Sequence, residues 1–403
     1  MAGNSLLTID MLTRKSLVIL ENHLVISRNV NRQYDDSFAV QGAKIGSTLR
    51  IRLPDRALVT DGAALQVQDD NEQYTTLTVS SQKHIGINFT SAELTMQLDD
   101  FAERVLKPRI SQLASTVDAD VASVYKSVYN SVGTPGTVPS TSLVLLQAQQ
   151  KLNEFATPMS PRYATVNPAA NAGLVEGMKG LFNPTGTIAR QFKNGMMGEG
   201  VLGLDEINMS QSIKQHTTGT AATSPIVATT VATQGATSLA ISFSSGSPTF
   251  KVGDVFTIGS VYAVNPQTRE STGSLQQFVV TADVSVSSST TATLSVSPAI
   301  YTASHALATV DSFPAANAVL TFVGGSATQY PQNLVYHKDA FSLATADLLL
   351  PQGVDMASRQ VHNGMSLRIV RQYDINNDRM PCRVDILYGF SAIRPSMAVR
   401  LWG

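Results

Sequence analysis

Residues 89–129, FTSAELTMQLDDFAERVLKPRISQLASTVDADVASVYKSVY, decide how the rest of the chain is read. Thr90 with Glu93 forms a capping box, in which a hydroxyl and a carboxylate satisfy the free amides of a first helical turn. Asp99 and Asp100 suit a second helix start, because negative charge is favoured at a helix N-terminus. Pro108 removes one helical hydrogen bond and crowds the preceding turn, so the sequence predicts a kink or a fresh start there. Beyond it, Ile110, Leu113, Val117, Val121, Val124 and Val128 recur at steps of three and four. That spacing places them on one face, and the face is predicted to be buried.

Upstream, TLRIRL (Thr48–Leu53) and YTTLTV (Tyr74–Val79) alternate apolar and polar residues, the period of strands covered on one side. Between them lie Pro54, Gly62 and the acidic Asp69, Asp70 and Glu72. A lone two-stranded ribbon with a long tip orders many residues while burying little surface, so it is marginal in water. The expectation is that a neighbouring subunit supplies its missing cover.

The chain is 403 residues long and 43% hydrophobic, enough for a substantial core and two or three domains. Its net charge of −1 and the even spread of Lys and Arg give no dedicated surface for displacing counterions from phosphates. The single cysteine, Cys382, excludes an intrachain disulfide and fits a reducing compartment; it lies in an alternating strand (Cys382, Val384, Ile386, Tyr388) as a small core residue. The apolar run Leu17–Leu20 is too short to span a membrane and lacks the core of an export signal.

Composition changes abruptly inside the chain. Residues 217–330 carry only six charges (Lys251, Asp254, Arg269, Glu270, Asp283, Asp311), against 53 in the other 289 residues. Short Val, Ile and Phe alternations separated by Ser, Thr and Gly predict an inserted antiparallel barrel or sandwich, joined by linkers at Gln215–Ser224 and at 324–332. Before the insert, Ser140 or Thr141 caps a helix bearing Leu145, Ala148, Leu152 and Phe155 on one face. Tyr163–Val166 is then a strand, Asn167 a cap, and Pro168 the first helical residue, where its missing amide costs nothing. After the insert, Leu367–Tyr373 and Cys382–Tyr388 form a hairpin, and Met397, Val399 and Leu401 alternate in a last strand.

Chemical motifs do not hold up. Gly198, Gly200 and Gly203 spell a lone G-x-G-x-x-G with no apolar strand before it, so it is taken as a flexible loop and not a dinucleotide site. Asp374, Asn376 and Asp378 open like a calcium loop, but Arg379 stands where glycine is required, which favours a polar hairpin turn. The histidines (His23, His84, His216, His305, His337, His362) lack metal-ligand spacing. There is no nucleophile elbow or phosphate loop, and no catalytic, cofactor or metal residue is assigned.

Four stretches carry a family resemblance: ELTMQLDDFAERVLKPRISQLASTVDADVASVY, RYATVNPAA (Arg162–Ala170), NLVYHKDAFSLATADL (Asn333–Leu348) and CRVDILYGFSAIRPSMAVRL. In order and spanning both ends, they resemble the P22-like coat proteins of short-tailed double-stranded-DNA phages; within the insert only KVGDVFTIGS (Lys251–Ser260) is similar. The resemblance implies an α+β Hong Kong ninety-seven-like capsid fold with an all-β insertion domain. It divides the chain into an N-terminal arm (1–35), an extended loop (about 45–85) and peripheral domain with spine helix (36–134), a first part of the axial domain (135–216), the insertion (217–332), and a second axial part returning to the periphery (333–403).

The implied function is that of a major capsid protein, not an enzyme, which self-assembles through hexamers and pentamers into an icosahedral shell. The shell would enclose double-stranded DNA without sequence-specific binding. Scaffolding protein and portal are implied partners, with assembly in the host cytoplasm, residence in the virion, and no cofactor or membrane. Arg50, Arg52, Asp55 and Arg56 in the extended loop, with Asp69, Asp70 and Glu72 at its tip, are the candidate inter-subunit charges; the alternative is that they keep an exposed ribbon soluble. A competing reading, a secreted β-rich adhesin or carbohydrate-binding protein, rests on the Ser/Thr-rich insert alone.

Overall fold

The computed structural model describes residues 9–32, 48–57, 59, 62–63, 67, 73–90, 107–177, 198–220, 224–287, 289–377 and 379–403. The helix starts predicted at Thr90–Glu93 and Asp99–Asp100, the tip acids Asp69, Asp70 and Glu72, and Asp378 lie outside the described residues or at their edge. The chain divides into two units: Met1–Arg52, Tyr74–Val121 and Phe341–Ile393 form the first, and Leu53–Gln73, Ala122–Ala340 and Arg394–Gly403 the second.

In the first unit the spine helix runs Lys107–Ala122 with Pro108 in its first turn, where proline is tolerated. Ile110, Leu113, Val117 and Val121 are all buried, as the spacing predicts. The α-helix does not continue through Val128. It tightens after Ala122 into a 3-10 helix, Ser123–Ser127, closed by the Val128 amide donating to the Tyr125 carbonyl at 2.9 Å. Val124 and Val128 remain buried in that changed geometry.

On the spine helix, Asp118 is buried and faces the start of the short helix Ile26–Asn29. It accepts hydrogen bonds from the Ile26 amide (3.3 Å), the Ser27 amide (2.9 Å) and the Ser27 hydroxyl (2.9 Å). The carboxylate thus caps a helix start that has no side-chain cap of its own, and ties the N-terminal segment to the spine. Leu17, Leu20, Leu24 and Ile26 are buried on the same segment, so one face of the apolar run near the N-terminus is core, while Val18 on the other is exposed. No helix among the described residues is long and apolar enough to cross a membrane.

The ribbon strands Thr48–Arg52 and Tyr74–Thr78 pair in antiparallel register, Arg50 opposite Thr76 and Arg52 opposite Tyr74. Ile51 and Leu77 are buried on one face, with Val79 just beyond. The expectation that this apolar face waits for a neighbour is therefore corrected: it is covered within the chain. The cover comes from the long strand Arg379–Ala392, where the Ser391 hydroxyl donates to the Thr76 carbonyl. A Cβ at Gly389 would collide with the Thr78 carbonyl oxygen, so only glycine lets the two backbones approach this closely.

Arg379–Ala392 pairs with Phe341–Thr345, Met365–Arg371 and Ser81–Thr90, and Met356–His362 forms an edge beyond Met365–Arg371. Cys382, Val384, Ile386 and Tyr388 alternate into the core as predicted. The hairpin turn is the expected polar one, with Asp374 accepting from the Asn376 amide and the Asn377 side chain.

The second unit contains a mixed six-stranded sheet in the order Ser131–Val132, Ala398–Leu401, Asn333–His337, Arg162–Val166, Leu204–Met209, Gly198–Val201. Helices Ser142–Glu154 and Pro168–Gly177 cover it, burying Leu145, Ala148, Leu152 and Leu174 against Val166, Val335, Val399 and Leu401. Asn167 caps the second helix through a 2.9 Å bond from the Ala170 amide, as the sequence indicates. The G-x-G-x-x-G stretch is a hairpin and not a loop: Leu202 and Gly203 both take positive φ between paired strands, the conformation of a two-residue type I′ turn.

The same unit holds the insert, and it is a barrel. Its strands run in the order Leu320–Phe322, Val255–Val264, Ser271–Val280, Thr291–Ile300, Ala236–Ser242, Ile226–Val227. Backbone bonds from Val227 to Ala318 (2.9 Å), Asn317 to Val227 (2.9 Å) and Leu320 to Pro225 (2.8 Å) join the last strand to the first and remove the open edge. Phe256 stacks against Phe278 and Phe322 at 5.7 and 5.2 Å in the interior. The predicted linkers pair with each other: Gln215–Thr217 lies antiparallel to Gln329–Pro331, forming a neck.

Asp118 yields a prediction for the first unit. Asp118→Ala leaves two buried amides and a hydroxyl without their acceptor and should cost about 2–3 kcal/mol in urea unfolding. Burial raises the Asp118 pKa against the opposing hydrogen bonds of Ser27 and Ile26. A raised carboxylate favours folding most when protonated, so its contribution is full below the ordinary carboxylate range and lost as pH rises through the native value. The stability difference between wild type and Asp118→Asn should therefore shift toward wild type on acidification; a pH-independent difference would refute this.

Candidate assembly surface and the anchor of the barrel

Strand alternation gives the ribbon two faces. With Ile51 and Leu77 turned inward, Arg50, Arg52 and Tyr74 share the outward face, and Tyr74 is 56% exposed. The Arg50 guanidinium lies over the Tyr74 ring at 5.1 Å, a diagonal cross-strand pair that keeps its charge at the surface. Tyr74 was not among the sequence-selected residues; its place diagonal to Arg50 follows only once the register is known. Asp55 and Arg56, both exposed, lie in the second unit, where Asp55 accepts the Arg56 amide at 2.7 Å. The structure thus brings Arg50 and Arg52 to one face of the ribbon.

Sequence reasoning also missed a buried polar cluster between the barrel and the mixed sheet of the second unit. Arg400, on the last strand, is 1% exposed. It donates to the Gly253 carbonyl at 2.7 Å and lies over the Tyr125 ring at 5.3 Å, with Gln332 Oε1 at 3.4 Å. Its Nε and Nη2 make no hydrogen bond among the described residues, so the aromatic face is their compensation. Burial pushes the guanidinium down to about 9, while Tyr125 and Asp254 act to raise it. Burial likewise raises the Tyr125 hydroxyl, with Arg400 opposing.

Asp254 organises the barrel side of the cluster. Its carboxylate is 2.8 Å from His216 Nε2, and accepts from the Lys251 amide (2.8 Å) and the Gly219 amide (3.1 Å). With Nε2 donating to Asp254, His216 Nδ1 is left to accept from the Tyr125 hydroxyl at 3.3 Å. Gly253 has φ of +103°, and a Cβ there would meet the His216 ring at 3.2 Å, so glycine is required where barrel and neck touch. Two further bonds brace the contact: the Ser131 amide to Gln277 Oε1 (2.7 Å) and Asn265 Nδ2 to the Glu154 carbonyl (2.8 Å).

Three of the insert's four carboxylates accept hydrogen bonds within the subunit. Beside Asp254, Asp283 accepts the Val252 amide at 2.7 Å and Asp311 the Tyr262 amide at 2.8 Å. Two sequence signals could have exposed the anchor: an aspartate in a nearly uncharged insert, and an arginine within the apolar run MAVRLW. Among the described residues no cluster of His, Cys, Asp or Glu could hold a metal ion.

A family model described as P22 coat protein - gene protein 5 matches residues 1–403. No curated protein matches the chain. Among solved structures, one titled for Mycobacterium phage Che8 is similar at 12% identity and TM-score 0.47, covering 94% of this chain and 90% of its own. The capsid structure of cyanophage P-SCSP1u is similar at 13% identity and TM-score 0.43, covering 90% and 84%. The isolated CUS-3 coat protein I-domain shares 28% identity over 25% of this chain and 96% of its own, with TM-score 0.19. At these TM-scores the assignment rests on the family model.

Two expectations follow. Asp254→Ala strips His216 and two backbone amides of their acceptor and leaves Arg400 with less counter-charge, so unfolding followed by the single Trp402 should lose about 3 kcal/mol. Trp402 is buried in the same unit and donates to the Pro331 carbonyl, which makes its fluorescence a local reporter; a loss below about 0.5 kcal/mol would remove the cluster's structural role. Burial also pushes the Cys382 thiol up to about 11. Iodoacetamide at pH 8 should therefore leave native protein unmodified and alkylate it fully in urea, and rapid native labelling would contradict the core placement.

Proposed function

We propose, for a chain that belongs to the P22 coat protein family and is a phage major capsid protein, a specific division of labour within the shell it builds with copies of itself. The arm (1–35) and the extended loop (about 45–85) overlap neighbours. The peripheral domain (36–134) carries the spine, the axial parts (135–216 and 333–403) gather around capsomer centres, and the barrel insert (217–332) stiffens its own subunit. Hexamers and pentamers close an icosahedral shell around double-stranded DNA in the host cytoplasm, with scaffolding protein and portal as partners. The near-neutral, evenly distributed charge suits a wall that encloses DNA without gripping it.

The observation that supports this reading best is the two-faced ribbon. Its apolar side is held on its own unit, while Arg50, Arg52 and Tyr74 are presented outward on a strand pair. A ribbon pinned at its root keeps its charged face in a defined place, which lowers the ordering cost of docking. Arg50, Arg52, Asp55 and Arg56 act as inter-subunit charge partners, with Asp69, Asp70 and Glu72 as the natural acceptors on an adjoining copy. Each exposed pair contributes only about 0.2–1 kcal/mol. Repetition by symmetry makes later contacts effectively intramolecular, so weak pairs sum to a stable wall.

Arg52→Glu tests this. The purified subunit should keep its circular dichroism and urea midpoint, while particle yield, measured by sedimentation and electron microscopy, should fall severalfold. Wild-type yield from the variant would return these charges to mere solubility.

A further inference from the structure

The connection leaving strand Phe341–Thr345 contains three consecutive leucines, Leu348–Leu350. Leu349 is 82% exposed and Leu350 is 44% exposed. Exposed leucines on a loose loop would be unremarked, but this connection is clamped. Arg368 donates through Nη1 to the Leu349 carbonyl, and Arg359 Nη1 to the Leu348 carbonyl at 3.4 Å. Arg359 also pairs with Asp347 at 3.5 Å. Behind them, Arg368 binds the fully buried Asp385 at 2.7 Å, and Arg383 binds its other oxygen at 2.6 Å.

The register makes the arrangement more telling. Arg359 and Arg368 stand directly opposite each other on adjacent strands, a like-charge pairing that disfavours the sheet. It is tolerated because both guanidinium groups are turned to the leucine connection and to two aspartates. Three arginines and two carboxylates thus fix the backbone of a segment that turns Leu349 almost wholly, and Leu350 in part, to solvent, with Leu348 half-buried beside them. Fixing an apolar group in advance removes the ordering cost of its later burial, the arrangement found at energetic centres of protein interfaces.

We propose that Leu349 and Leu350 are a pre-set apolar anchor that inserts into an adjoining copy of this chain when the shell forms. The inference rests on the coat-protein reading, which supplies the occupant: in a shell each subunit is surrounded by copies of itself. Charge points the same way. Asp347 and Asp385 occupy the clamping arginines, and Asp355 holds the nearby Arg371 at 2.9 Å, so the site offers an apolar contact and not a phosphate contact.

The test uses the full chain with Leu349→Asp, the double variant Leu349→Ser/Leu350→Ser, and Leu349→Met. Urea midpoints and circular dichroism of unassembled subunits should match wild type for all three, because the changed side chains are exposed. Particle yield should fall at least tenfold for the first two, with soluble subunits accumulating, and return to near wild type for the methionine variant. Wild-type yield from folded Leu349→Asp would overturn the anchor while leaving the coat reading intact. So would intact shells that lose only an internal or decorating protein. If wild-type chain forms no particles under any assembly condition, the coat reading fails and takes the anchor with it.

Discussion

A guanidinium with almost no access to water holds the second unit together. Arg400 comes from the last strand of the mixed sheet, yet its partners are a carbonyl at the foot of the barrel, a glutamine of the neck and an aromatic ring beyond the spine helix. Burying such a charge is unfavourable unless each side of it finds compensation, so sheet, barrel and neck are constrained to meet in one geometry. Asp254 supplies the opposite charge and, through His216, extends the constraint to Tyr125. An apolar seam would tolerate sliding between these parts; directed bonds do not.

How much of this was legible in the sequence depends on the range of the interaction. The spine's buried face, the Asn167 cap and the alternation from Cys382 to Tyr388 are local patterns, and they were read correctly. Arg400 and Asp254 pair through space across many residues, so only their odd surroundings marked them. The hairpin at Leu202–Gly203 was hidden because a glycine-rich string looks like coil until the paired strands on either side are seen. Ser, Thr and Gly likewise made the neck look like free linker, although a three-residue ladder forms there. The end of the α-helix at Ala122 was invisible to spacing, since a 3-10 turn keeps Val124 buried too.

On the function proposed above, the ribbon would serve both its own subunit and the assembly. Ile51, Leu77 and Val79 are already buried at home, which keeps the inner face of the strand pair from non-specific association. What remains outward is charge and an aromatic ring, groups that confer selectivity and faster encounter more than raw affinity. The clamped leucines are the counterpart, compact and apolar. A shell protein needs both, because contacts that are each strong would trap misassembled intermediates, whereas selective weak ones can dissociate and correct.

The neck has an evolutionary consequence. The chain enters and leaves the barrel side by side, with the Gln332 amide bonded to the Lys214 carbonyl at 3.0 Å. A module whose ends are this close is a cassette: it can be exchanged for an unrelated domain with adjacent termini while the host sheet keeps its strand order. The exchange has one condition. Whatever replaces the barrel must shield the arginine on the final strand, or that residue must change in the same lineage, so the identity of residue 400 should track the type of cassette a descendant carries.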